Sequence, residues 1–162
     1  MWLKEELKKF VLRGEFVLSS GKRSDYYFDL KEAFGNPELL TYSADKLYSL
    51  VDKKPDFVAS TGLGGTILAT AISLRQGINL TLIRGEKKTY GTCNILEGYT
   101  PKEGEAGIIV DDVFTTGSSI LRAMNEVLKC GAHVYGGYVV VRRSPAEIGI
   151  PVKHLFTLED LL

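Results

Sequence analysis

The sequence predicts an α/β architecture with a central, mostly parallel sheet flanked by helices. Two observations carry this. Short apolar runs at 57–61, 80–83, 108–110 and 138–141 alternate with helical stretches at about 65–76 and 118–130. Strand–helix alternation with continuously apolar strands is the pattern of a parallel sheet covered on both faces. At 162 residues, 44% apolar and 25% charged, the chain fits one ordinary globular domain spanning 1–162, with no internal repeat or linker.

Taken in order, Leu3, Leu7, Phe10 and Val11 recur at helical spacing and Gly14 offers a stop, so 2–13 reads as a helix. Two extended pieces follow around a turn at Gly21, one starting at Phe16 and the other running Tyr26-Tyr-Phe-Asp-Leu. Asn36-Pro37-Glu38 is a helix start with a cap, a proline at the first position and an early acid; Leu40, Ala44, Leu47 and Val51 carry one face to about residue 52. Gly77 and Gly131 close the two later helices. The stretch from Gly85 to Gly107 is polar and glycine-rich and reads as a long loop, with Ile95-Leu96 its only apolar pair. From His154 a short strand and a helical turn end the chain.

Twenty basic residues balance twenty acidic ones, which excludes a cation-dominated nucleic-acid binder and an acidic disordered tail. No secretory signal is expected at the N-terminus, and no run approaches the roughly 18 apolar residues of a membrane span. Cys93 and Cys130 form no CxxC, and neither His133 nor His154 has a ligand partner at useful spacing. The expectation is a reduced, cytoplasmic protein with neither a disulfide framework nor a zinc site. Glycine is the outlier, 17 of 162 residues against a usual fraction of about 7%.

The segment Gly107-Ile-Ile-Val-Asp-Asp-Val-Phe-Thr-Thr-Gly-Ser-Ser-Ile is the most informative. An apolar strand runs into Asp111 and Asp112, then a hydroxyl-rich turn with Gly117, then a helix from about Ser118. Ligands of open parallel sheets bind at the carboxyl ends of strands. Thr115 to Ser119 would present free N–H groups, hydroxyls and the positive end of a helix to a phosphate. The acid pair would repel that phosphate and suits sugar hydroxyls, a metal or a developing cation, so a phosphorylated sugar satisfies both halves. Gly62, Gly64 and Gly65 occupy a second strand-to-helix turn, where backbone N–H groups could meet another anion; there is neither a dinucleotide fingerprint nor a Walker loop. Arg84, Lys87 and Lys88 place an excess of cations just after a strand end. Arg142-Arg143 ends the Val139-Val-Val run and would aim at least one guanidinium at the same rim, while Tyr26, Tyr27 and Phe28 read as core aromatics.

Ile109-Val-Asp-Asp-Val-Phe-Thr-Thr-Gly-Ser-Ser resembles the phosphoribosyl diphosphate (PRPP) signature of the type I phosphoribosyltransferases. Three flanking motifs resemble the orotate phosphoribosyltransferase family: the Phe16 to Leu30 segment, Gly62-Leu-Gly-Gly-Thr, and Ile83-Arg-Gly-Glu-Lys-Lys-Thr-Tyr-Gly with Leu96-Glu-Gly. The resemblance implies the type I phosphoribosyltransferase fold, with a small base-binding hood from residues 1–30 and a mobile catalytic loop at 85–98. It implies conversion of PRPP and orotate to orotidine 5′-monophosphate and pyrophosphate, with Mg²⁺ carried on PRPP. By the same resemblance Arg84, Lys88, Asp111 and Asp112 are catalytic. PRPP is held by Arg84, Gly85, Lys88, Tyr90, Asp111, Asp112, Val113, Phe114, Thr115, Thr116, Gly117, Ser118 and Ser119. Gly62, Gly64 and Gly65 form the pyrophosphate loop, and Tyr27, Phe28, Thr115 and Arg142 or Arg143 receive orotate. A homodimer is implied, with the 85–98 loop completing the neighbouring site. The chain departs from the family at Gly85 and Tyr90, which stand for a lysine and a histidine, at Ser19 for a lysine, and at Val141-Arg142 for Asp-Arg. Two alternatives stay open: transfer to another nucleobase, and a non-catalytic PRPP-binding regulator.

Overall fold

The computed structural model describes residues 1–18, 20–86, 89–91 and 94–162. A six-stranded sheet runs in the order β5-β4-β3-β6-β7-β8, built from β3 (Phe57–Thr61), β4 (Asn79–Ile83), β5 (Leu96–Gly98), β6 (Ala106–Phe114), β7 (His133–Arg142) and β8 (Val152–Thr157). Every neighbouring pair is parallel except β4 with β5. Side chains alternate across a strand, so a sheet covered on both sides needs apolar residues at every position. Val58, Ile108, Val110, Tyr138 and Val140 accordingly join one buried cluster, and Phe57, Ala59, Ile109 and Val139 the other. The first cluster is covered by α1 (Trp2–Lys8), α2 (Leu30–Ala33), α3 (Pro37–Tyr48), α4 (Leu63–Gln76) and α6 (Leu158–Leu161); the second is covered by α5 (Ser118–Lys129).

A separate antiparallel hairpin, β1 (Val11–Val17) with β2 (Arg23–Phe28), stands over the carboxyl edge of the sheet. Its pairing shifts between Arg13 and Phe16, around Gly14.

Several boundaries differ from the sequence reading. The first helix ends at Lys8 instead of 13, because Phe10 and Val11 are drawn toward the hairpin; the Asp29 amide donates to the Phe10 carbonyl at 3.0 Å. Leu30 opens α2 where an extended end was expected, since the Asp29 side chain caps the Glu32 amide at 3.2 Å. The α3 helix stops at Tyr48. The stretch read as loop from 85 holds strand β5 at 96–98, where Leu96 pairs with Ile83 and packs against the second cluster. Strand β6 runs on through Phe114, so Asp111 and Asp112 lie inside the strand and not beyond its end.

Candidate active site

One cavity of about 450 Å³ lies at the carboxyl edge of β3 and β6, beneath the hairpin. Its wall gathers Tyr27, Phe28, Gly62, Gly64, Asp111, Asp112, Val113, Thr115, Ser119 and Arg143 from the expected set. Val17, Leu18, Lys31, Thr61 and Leu63 complete it and were not foreseen. Lys31 carried no local signal, because Tyr27, whose hydroxyl it reaches, lies at the end of β2 while Lys31 lies in α2.

The acid pair sits between this cavity and the start of α4. A Cβ on Gly64 would lie 2.2 Å from Asp112 Oδ2, and one on Gly65 would lie 2.9 Å from the Val110 carbonyl oxygen. Glycine at both positions is what lets α4 close down on β6. Asp112 Oδ1 accepts from the Val113 amide at 2.9 Å, and Asp111 Oδ1 accepts from the Asp112 amide at 2.9 Å. Protein surrounds the Asp111 carboxyl, so desolvation pushes its pKa well above the ordinary range; the neighbouring Asp112 charge adds to this, and Lys31 only partly opposes it.

Beside the cavity, Asp111 and every residue from Val113 to Ile120 line a recess of about 30 Å³. Gly117 caps α5 with φ +83° and has no side chain to cap with; the Thr116 hydroxyl oxygen accepts from the Ser118 amide at 3.4 Å, and the residues of this first turn line the recess. A Cβ on Gly117 would also strike Ile148 Cγ2 at 2.5 Å and the Phe114 ring at 2.8 Å. Thr116 and Ser118 hydroxyls bond to each other at 3.2 Å, and the Ser144 hydroxyl donates to the Thr115 carbonyl, which ties this turn to the end of β7. Phe114 itself is core, 2% exposed.

The two adjacent arginines part company. The Arg142 guanidinium donates to the carbonyls of Ser144, Val152 and Ala146 at 3.0, 3.3 and 2.7 Å and stacks on Phe114, so it is consumed by structure and does not reach the cavity wall. Arg143 donates to Ser24 Oγ at 2.9 Å and lies 5.2 and 5.5 Å from the ring centres of Tyr26 and Phe28, within the cavity wall.

Arg84, Gly85 and Tyr90 are not brought to this cavity. Arg84 pairs with Glu97 at 3.5 Å, Tyr90 is 69% exposed, and Arg122 of α5 donates to the carbonyls of Arg84 (2.6 Å) and Gly85. Ser19, Lys87 and Lys88 fall outside the described residues.

A hood over a parallel sheet, an acid pair in the strand and an amide-lined turn leading into α5 define a type I phosphoribosyltransferase. No family model matches the chain. It is 40% identical to orotate phosphoribosyltransferase of Pyrococcus furiosus, an alignment covering 99% of this chain and 92% of that protein. The crystal structure of orotate phosphoribosyltransferase from Aeropyrum pernix matches with a TM-score of 0.84 and 31% identity, over 100% of this chain and 96% of that one. The Mycobacterium tuberculosis orotate phosphoribosyltransferase in complex with PRPP matches with a TM-score of 0.80 and 27% identity, over 99% and 96%. The chain belongs to the orotate phosphoribosyltransferase family.

Proposed function

We propose that the protein transfers the phosphoribosyl group of PRPP to orotate, forming orotidine 5′-monophosphate and pyrophosphate in pyrimidine nucleotide synthesis. The observation that carries this is a single cavity with an acid pair in its floor, an amide-lined recess on one side and Arg143 stacked on aromatic rings under the hood. In this reading the 5′-phosphate sits on the amides and hydroxyls from Thr115 to Ser119, where the start of α5 favours negative charge. Asp111 and Asp112 accept from the ribose hydroxyls. As the bond from C1 to the pyrophosphate oxygen breaks, positive charge grows on the ribose and the nearby carboxylates stabilise it. Orotate N1 forms the new bond to C1 as its N1–H proton is released to solvent, and pyrophosphate leaves with the electron pair of the broken C1–O bond.

Arg143 is the fit for the orotate carboxylate: a planar fork suits a carboxylate, and the rings of Tyr26 and Phe28 hold it in place. The backbone around Tyr27 and Phe28 then borders the base under residues 1–30. Gly62 and Gly64 bring backbone toward pyrophosphate while Gly65, outside the cavity wall, packs α4 onto β6 behind them, and Arg84 with Lys88 neutralises the pyrophosphate.

Mg²⁺ is the expected companion of PRPP. Among the described residues no group of three or more His, Cys, Asp or Glu side chains could hold a metal ion. Two carboxylates at the cavity suit an ion that keeps water and phosphate ligands. When bound, it would supply charge neutralisation on the pyrophosphate.

The position of Arg84, Gly85 and Tyr90 away from their own chain's cavity supports a homodimer in which the 85–98 segment serves the neighbouring site. The apolar groove between α3 and α4, with Leu74 81% exposed, offers a face for the second copy. Among the described residues no helix is long and apolar enough to cross a membrane, and Cys130 is a free thiol, which supports a cytoplasmic location. The test is stoichiometry: orotate, PRPP and Mg²⁺ should yield orotidine 5′-monophosphate and pyrophosphate one for one. Absence of either product at micromolar protein overturns the assignment.

A further inference from the structure

Among the described residues the cavity wall holds two cationic side chains, Lys31 and Arg143. They are kept apart by the pleat of β2. Ser24, Tyr26 and Phe28 alternate onto the side where Arg143 bonds and stacks. The Tyr27 side chain turns the other way, and there Lys31 Nζ donates to the Tyr27 hydroxyl at 3.0 Å and lies 5.5 Å from its ring centre. On the reading above, the base joins the ribose carbon from one side while pyrophosphate departs on the other, so the cavity needs two separate anion positions. Arg143 occupies the one at the aromatic hood. Lys31 lies near enough to Asp112 to feel its charge, Asp112 is the side chain packed against Gly64, and all three line the cavity with Gly62.

We propose that Lys31, tethered by the Tyr27 hydroxyl, is the cavity's own cation for the pyrophosphate group of PRPP. This rests on the reading above and adds a residue to it. Arg84 is engaged with Glu97 outside this cavity, which leaves Lys31 as the described cation near Asp112, the carboxylate that packs on Gly64 of the glycine turn. Burial draws the Lys31 ammonium toward the neutral form, but the Tyr27 hydrogen bond and the charges of Asp112 and Asp29 outweigh that and keep it protonated. The tether also matters energetically, because a lysine loses much rotamer freedom when fixed on a ligand and Tyr27 removes part of that freedom beforehand.

The test is calorimetric titration of inorganic pyrophosphate with Mg²⁺ into wild type, Lys31→Ala, Lys31→Arg and Tyr27→Phe, with orotate titrated separately and melting curves recorded for each. Lys31→Ala should weaken pyrophosphate binding on the order of tenfold and raise the KM for PRPP alike, with orotate affinity within about twofold. Lys31→Arg should retain most of the affinity, and Tyr27→Phe should lose part of it. Unchanged pyrophosphate binding in Lys31→Ala, a loss falling on orotate instead, or Lys31→Arg as weak as Lys31→Ala would overturn the proposal. Pyrophosphate binding is read without turnover, so a wild type that failed to consume orotate would overturn the assigned reaction while leaving this measurement intact.

Discussion

Replacing Gly64 by alanine tests how the acid pair is held. Gly64 is buried in the first turn of α4, and its backbone accepts an L residue without strain. The added Cβ would lie 2.2 Å from Asp112 Oδ2, 2.3 Å from Cγ and 2.7 Å from Oδ1, against the 3.4 Å where ordinary contact begins. The carboxylate must therefore swing away, breaking its bond from the Val113 amide at 2.9 Å. That bond is worth about 1 kcal/mol, and an off-rotamer side chain costs about 0.5–1.5 kcal/mol. Alanine in a helix recovers roughly 0.5–1 kcal/mol over glycine. The net loss of stability is about 1 kcal/mol, a fall in Tm of roughly 2–4 °C for a chain of this size. The kinetic effect is larger, because a displaced carboxylate no longer meets the ribose: kcat should fall on the order of 100-fold. Initial rates of orotate consumption, set beside thermal melts, separate the two effects. A kcat within threefold of wild type would refute the claim that α4 and the Gly64 gap aim Asp112.

Arg143→Ala should raise the KM for orotate at least tenfold with little change in Tm, whereas Arg142→Ala should cost roughly 1.5–3 kcal/mol of stability by stranding three carbonyls; paired kinetics and melts check both. Asp111→Asn should abolish most turnover yet stabilise the ligand-free protein. The folded-state pKa of Asp111 is raised, so from the unfolded carboxyl value of about 3.9 upward the unfolded chain ionises first, and the wild type loses stability until the folded value is reached; the gain in Tm should be greatest above that value and shrink as pH falls toward about 3.9. A pH-independent difference in melting would contradict that cause. Lys88→Ala should lower kcat and leave the melting curve unchanged; unaltered kcat would remove the role assigned to it.

The parts legible in the sequence are those whose pattern is local. Apolar runs such as 57–61 announce strands buried on both faces, and the Asp111-Asp112 pair followed by the Thr115 to Ser119 turn announces the strand and turn that meet at the cavity. The parts that escaped depend on distant partners. Phe10 and Val11 suit a helix by spacing, but Val11 pairs with Phe28 of β2 and the Phe10 carbonyl accepts from the Asp29 amide, and β5 exists only because Leu96 finds Ile83. Arg142 is the last residue of β7 and Arg143 the first beyond it, so the two cannot be told apart until the strand's end and its face toward the cavity are known. Lys31 escaped because the short helix that carries it depends on the Asp29 cap and on burial of Leu30 and Ala33.

The most direct test of the central claim is a base panel at fixed PRPP and Mg²⁺: orotate, uracil, adenine and hypoxanthine, each followed to its nucleotide. A site built around Arg143 should reject bases without a carboxylate by on the order of 100-fold or more in kcat/KM, because the guanidinium is then left unpaired. Rapid PRPP-dependent turnover of orotate, with the others near background, is the predicted result. Turnover of uracil or a purine at a rate equal to or above that of orotate would contradict the account.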